Sequence, residues 1–428
     1  MQHAGQHKTH NLVDHLFREE SGKMTAILIR LFGFRKAELA EDIVQETFIS
    51  AMKNWPIKGE PDNPSAWLMQ VAKNKAINVV KREKLIQEKE SIINHEFQND
   101  EVYIEQLFQE QEIKDSQLSM LFTCCYKEIK EREQLMLILK ILGGFSDAEI
   151  ASALLMNPAA VKKAIYRAKT EVRSYYKQLP EFKTPAIKER VETVLKAVYL
   201  LFNEGYKTSF GEHLINIDLC YTALRLAHLL ADLENIDRGA VHALLSLMYF
   251  NTARFPARTD EQSAMIDLRD QDRKLWDKGL IYKGFEQLSK SRESRVLSAY
   301  HLESSIASVH AMAATFEDTN WDLILKYYEK LLKMRPSEII ELNYAIALSY
   351  AKGAKAGLRK LEEIDIPGIK DRQYLLWAAK AEMNVRLENY GVARSYYQVA
   401  CDLAPSKIDE EYLLRKMKEN DLKNLSKN

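Results

Sequence analysis

Glycine and proline are scarce in this chain of 428 residues, at 15 and 10. That level excludes a collagen-like or low-complexity disordered chain. No hairpin dipeptide stands between alternating β-branched runs, so signals for strands are lacking. Cysteine is rare too. Four are present, two of them adjacent (Cys124, Cys125), which gives neither a disulfide framework nor a zinc spacing and fits a reducing cytoplasm. Charge of one sign is missing as well: 61 cations balance 61 anions, so any basic surface must be local. No apolar run approaches a membrane span, and the start, MQHAGQHKTH, lacks the apolar core of a signal peptide. Its irregularly spaced histidines suit a frayed terminus better than a metal site, and no metal or cofactor is expected. What is present is 46% hydrophobic residues over a length sufficient for two to three domains. The expectation is an all-α protein.

Residues 146–169, SDAEIASALLMNPAAVKKAIYRAK, spell a helix, a turn and a second helix. Ser146 and Glu149 have capping-box spacing. Asn157 followed by Pro158 restarts the chain, Asn as N-cap and Pro at the first helical position. Val161, Ile165, Ala168 and Val172 form an apolar stripe, and Ala151 is small where the two helices must approach. Lys162, Tyr166, Lys169 and Arg173 share a neighbouring face, with Lys163 and Arg167 beside it. A DNA-reading helix-turn-helix presents such a face, with its early residues (Ala159, Lys163) at base edges and its cations at phosphates. A solvated helical hairpin has the same local pattern, so the segment alone does not decide.

Charge organises the rest. Residues 65–84, SAWLMQVAKNKAINVVKREK, form a cationic helix. Residues 90–115 carry eight acids against the single cation Lys114 and are expected to be a linker with some helix. A junction bearing Pro180 and Pro185 precedes a region of long helices. Near the end, NWDLILKYYEKLLKMRP (320–336) and NYGVARSYYQVACDLAP (389–405) repeat a pattern, with a fainter copy at 353–364. The period near 34 matches tetratricopeptide-like hairpins, which bury their apolar faces by stacking.

Upstream of the cationic helix lies AEDIVQETFISAMKNWP, with Val44, Phe48 and Met52 expected on one face and Asp42, Gln45 and Glu46 on the other. A Pro- and Gly-bearing loop at 57–64 then leads to Trp67, which with Trp55 is expected to anchor the loop. In that order and separation, the two motifs resemble domains two and four of bacterial RNA polymerase sigma factors of the extracytoplasmic-function type. YLLFNEGY (199–206), ARTD (257–260), DQDR (270–273) and SVHA (308–311), followed by the repeats, look like the C-terminal extension of one sigma subgroup. There are departures: Asn78 stands where Asp is usual, Lys81 and Lys140 where Arg is usual, and Ala164 where many members carry Arg. Tyr126 and Lys127 replace a common His-Pro.

The resemblance implies sigma domain two at 10–88, an acidic linker at 89–116, and sigma domain four at 117–179. It then implies a helical extension at 187–318 and tetratricopeptide-like repeats at 319–420. Asp42, Gln45 and Glu46 are expected to contact core RNA polymerase. Lys73, Asn74, Lys75, Asn78, Lys81 and Arg82 are expected on the minus-ten element, and Ala159, Lys162, Lys163, Tyr166, Arg167 and Lys169 on the minus-thirty-five element. The linker resembles the segment that threads toward the polymerase active centre. In the extension, Asn203, Glu204, Arg258, Asp270, Asp272, Arg273 and His310 are too dispersed for a nucleophile–base site. They are expected to form a polar network or a sensor, with no catalytic residue. A concave repeat array suits a protein or peptide regulator. The reading is a cytoplasmic promoter-specificity subunit, not an enzyme and with no membrane partner. A ligand-responsive one-component DNA-binding regulator and a peptide-binding scaffold stand as alternatives.

Overall fold

The computed structural model describes residues 2–88, 97–154, 156–175, 190–206, 215–233, 236–260, 264–364 and 372–427. Among them the regular elements are all helical, apart from one isolated bridge between Thr259 and Met265. The all-α expectation holds. The chain divides into two compact units, Met1–Leu201 and Phe202–Asn428. The Pro-bearing junction expected to separate the halves lies in 176–189, outside the described residues.

Unit 1 contains α1 (Gln2–Phe32), α2 (Ala37–Lys58), α3 (Pro64–Glu88), α4 (Phe97–Leu107), α5 (Glu110–Cys124), α6 (Glu131–Ile141), α7 (Asp147–Leu154) and α8 (Pro158–Tyr175). Helix α9 (Val191–Tyr206) crosses the division between the units. The second half of α1 is buried all round: Met24, Ala26, Ile27, Leu28 and Ile29 are each 0% exposed. A helix without a polar face must be covered on every side. Helices α2 and α3 pack on α1, and so do α5 and α6. Gly22 makes the closest approach: a Cβ there would stand 2.1 Å from the Leu142 carbonyl oxygen. Backbone thus meets backbone where the helix-turn-helix half joins the N-terminal helices. Gly144, at φ 70, takes the turn after α6, over Ser21 and Phe17.

The acid-rich segment is more ordered than a linker with some helix. Residues 89–96 lie outside the described residues, but α4 and α5 run from Phe97 to Cys124 with a short break. Helix α4 buries Ile104 and Leu107, and α5 passes straight through the expected boundary at 116.

Unit 2 is built from α10 (Ile217–Ala231), α11 (Gly239–Thr252), α12 (Lys278–Ser291), α13 (Ala299–Met312), α14 (Trp321–Met334), α15 (Glu338–Lys352), α16 (Ala354–Glu362), α17 (Gln373–Arg386), α18 (Tyr390–Asp402) and α19 (Lys407–Lys427). Apolar on nearly all sides, α11 is central and packs on α10, α12 and α13. From α14 onward each helix packs on the next, and α14, α16 and α18 coincide with the three sequence repeats. Asn320 opens α14 by accepting from the Leu323 N–H at 3.0 Å. The last helix, α19, holds the loop before α12: Lys416 Nζ lies 2.8 Å from Asp267 and 3.1 Å from Asp270, and Tyr412 donates to Asp267 at 2.5 Å.

Candidate nucleic-acid interface

The helix-turn-helix forms as its caps require. The Ser146 N–H donates to Glu149 Oε2 at 2.7 Å, and the Glu149 N–H donates back to Ser146 Oγ at 3.2 Å. The Ala159 N–H donates to Asn157 Oδ1 at 2.9 Å, and Pro158 takes the first position of α8. Val161, Ile165, Ala168 and Val172 are buried, and so is Ala151 opposite them. The other side of α8 is open: Ala159, Lys162, Lys163, Tyr166 and Arg167 are exposed, Tyr166 to 66%. Arg167 reaches Glu133 at 3.2 Å while staying largely in solvent. Ala164 is buried, so in this chain the position does not belong to the open face.

Lys169 departs from its neighbours. Its side chain is 7% exposed and its Nζ lies 2.5 Å from Glu41 Oε1 on α2. One turn later Arg173 donates to both carboxylate oxygens of Glu38, at the start of α2. Arg18 of α1 donates to Glu149 and lies 4.3 Å over the Phe145 ring. Burial works to raise the carboxyl groups of Glu38 and Glu149, but the Arg173 bond in one case, and the Ser146 and Arg18 bonds in the other, outweigh it. Both are held below the ordinary carboxylate range.

On α2 the apolar side is Ala40, Ile43, Val44, Thr47, Phe48, Ala51 and Trp55. Met52 was expected on that side, but it is 45% exposed, because the buried stripe passes through Ala51 instead. Asp42, Gln45 and Glu46 are exposed and continue along the helix into Ile49, itself 47% exposed. The result is an acidic-polar patch running into an apolar one.

The cations of α3 face acids. Lys73 lies 3.8 Å from Glu105 and Lys81 2.5 Å from Glu101, both on α4, while Lys75 lies 2.9 Å from Glu46 on α2. Asn74, Asn78 and Arg82 are exposed. The last turn of α2, which runs to Lys58 and so takes in the first residues of the expected loop, is open, with Ile57 84% exposed. Below it Trp55 and Trp67 pack edge to face at 5.4 Å, as anchors should. Cys124 and Cys125 are buried, and burial pushes the Cys125 thiol up to about 12, so neither is a reactive thiolate.

Of the residues expected to act together in the extension, Arg273 and His310 meet, and others have separate contacts. Asp270 pairs with Lys416, and Asp272 caps a short helical turn by accepting from the Lys274 N–H at 2.9 Å. Asn203 and Glu204 are half-buried on α9. Arg258 is buried and stacks 3.8 Å over the Tyr206 ring. Arg273 donates to the carbonyls of His310 and Ala313. Sequence reasoning missed Trp276, whose ring lies against Arg273, and Arg254, whose guanidinium lies against the same ring. No group of His, Cys, Asp and Glu among the described residues could hold a metal ion, and no described helix is long and apolar enough to cross a membrane.

An all-helical half with a capped helix-turn-helix and a second basic helix defines a class of DNA-binding proteins, and sequence comparison narrows it. Residues 16–86 match sigma-70 region 2, and residues 119–172 match sigma-70 region 4. Residues 190–292 match a family of unknown function. An uncharacterized protein of Rhizobium meliloti is 34% identical over 339 residues, covering 77% of this chain and 78% of that protein. No solved structure matches. The chain belongs to the sigma-70 family, and shares most of its length, including much of the extension, with that relative. Its class of work is promoter recognition together with core RNA polymerase.

Proposed function

We propose that the chain is a sigma factor of the extracytoplasmic-function type whose C-terminal unit, built on tetratricopeptide-like hairpins, regulates its use. Asp42, Gln45, Glu46 and the adjoining Ile49 dock on core polymerase. Ala159, Lys162, Lys163, Tyr166 and Arg167 engage the upstream element, and Asn74, Asn78, Arg82 and the α3 lysines engage the minus-ten element. The observation that carries this is the pairing of two open faces, one on each sigma-70 region, on helices whose remaining surfaces are buried.

The arrangement of unit 1 is the resting one. Elements centred near minus ten and minus thirty-five are about 25 base pairs apart, or roughly 85 Å along B-DNA at about 3.4 Å per base pair. With α8 paired to α2, the two regions are too close to reach both. Lys73, Lys75, Lys81, Lys169 and Arg173 spend their charge on the protein's own acids until polymerase and promoter displace them. The test is co-purification with core polymerase, followed by transcription from a genomic fragment library. Failure to bind polymerase, with tight duplex binding by the free chain, would replace this reading by a one-component regulator.

A further inference from the structure

Unit 2 holds three neighbouring arginines, none of which has an ion-pair partner among the described residues. Arg254, just past α11, directs Nε to Gln271 Oε1 at 3.3 Å, its guanidinium 5.4 Å from the Trp276 ring centre. Arg273 lies 4.8 Å from the same ring and spends its N–H groups on two carbonyls and on Thr319 Oγ1. Arg258, 7% exposed, donates to the Tyr206 carbonyl. Glu317 and Asp318 both lie near Arg273 without forming an ion pair with it, and Asp318 is occupied by the N–H and hydroxyl of Thr315.

Two ring nitrogens in the same place are buried without a hydrogen-bond partner: Trp276 Nε1 and His310 Nδ1. Burial and the two arginines push the His310 pKa down to about 3, so its imidazole is neutral and can donate from one nitrogen without adding charge. Buried cations without counter-ions are costly, and buried donors without acceptors add to that cost. A guanidinium fork beside an indole N–H and an imidazole is suited to oxygen atoms carrying negative charge. Loop 264–272, which supplies Gln271, is held from outside by Lys416 and Tyr412 of α19, so the repeats brace the cluster.

We propose that Arg254, Arg273, Trp276 and His310 form a binding site for a small ligand bearing a phosphate or carboxylate group. Only its consequence for transcription rests on the sigma-factor reading; the binding itself does not. Arg258 adds positive potential beside Arg254, and Gln271 aims the Arg254 side chain.

The test is calorimetry and thermal melting of the full chain with inorganic phosphate and, separately, succinate, at fixed ionic strength in chloride. Saturable binding with a rising melting temperature is expected, and the preferred anion tells a phosphate ester from a carboxylate. Arg254→Gln should weaken it by about tenfold or more, Arg254→Lys less, since the lysine keeps the charge and loses the fork. Trp276→Phe keeps the ring and removes the N–H, which gives a second folded variant. Lys330→Gln, on the open face of α14, should change nothing. No saturable binding of either anion overturns the proposal, as does an Arg254→Gln affinity equal to that of the parent.

Discussion

Lys169 Nζ lies 2.5 Å from Glu41 Oε1, joining the middle of α8 to the first turns of α2. A lysine expected at a phosphate is thereby withheld from DNA. Removing Glu41's charge leaves a largely buried lysine uncompensated, at a cost below the ~3–5 kcal/mol of a fully buried pair because Glu41 is partly exposed. Glu41→Gln should therefore favour separation of the two regions while leaving each one folded. The readout is energy transfer between dyes placed on exposed positions of α3 and α8. The free chain should also gain affinity for promoter duplex. Unchanged transfer would mean that the remaining contacts, Arg173–Glu38 and Arg18–Glu149 among them, hold the regions together without this pair.

A second way to part the regions is steric. Gly22→Ala places a methyl group where the Leu142 carbonyl now sits, and backbone cannot yield as a side-chain tip can. The variant should open unit 1 or lower its melting temperature. Gly391→Ala, with nothing near its Cβ, serves as the matched control and should do neither.

Acid should have the same effect on the ion pairs. Glu38 and Glu149 are held below the ordinary carboxylate range, so their contribution is complete above it and is lost as pH falls through their lowered values. Closure should be insensitive to pH around neutrality and should fail only in the acid range below that of a free glutamate. Energy transfer that changes between pH 6 and 8 would assign closure to other groups.

How much of this was legible in the sequence depended on the range of the interaction. The caps at Ser146 and Asn157 were readable because each is made by residues two or three positions apart. The alternation of basic and acidic segments was readable too, and the acids of α4 do face the lysines of α3. What could not be read was which cations on α8 would be covered. Lys169 and Lys162 look alike along the chain, and only the docking of α2 distinguishes them. Met52 was misplaced because a one-residue error in phase moves a side chain from core to edge. Ile104 and Leu107 were passed over because two apolar residues among acids carry little periodic signal. Arg254 was missed because its partners, Gln271 and Trp276, are distant in sequence; Trp276 stands one helical turn after Arg273, but a lone tryptophan beside DQDR carries no motif.

The proposed polymerase face makes its own prediction. Replacing Asp42 and Gln45 with lysine should weaken core binding by about tenfold or more through like-charge opposition, and should slow association most at low salt. Both side chains are exposed, so the fold should be unaffected. A competition pull-down that shows equal affinity would remove these residues from the interface. Glu46 is better left for a separate variant, because it also pairs with Lys75 and its loss would mix two effects.

The open face of α8 contains two kinds of cation, and salt can tell them apart. Lys163 stands near the start of the helix beside Ala159, where a recognition helix meets base edges. Arg167 lies a turn further on, exposed beyond its Glu133 contact, and suits a phosphate. Arg167→Ala should lower the salt slope of polymerase–promoter binding by about one unit, equally for all sequences. Lys163→Ala should instead cost about 1–3 kcal/mol on the preferred promoter and relax preference at one position only. Lys169→Ala should differ from both: its first effect is on closure of the free chain, before any DNA is present. The measurement is a salt titration of each variant on a library randomised across the minus-thirty-five element. If Lys163→Ala and Arg167→Ala both leave slope and preference unchanged, the exposed cations of α8 are only solvated, and promoter reading by this helix is wrong.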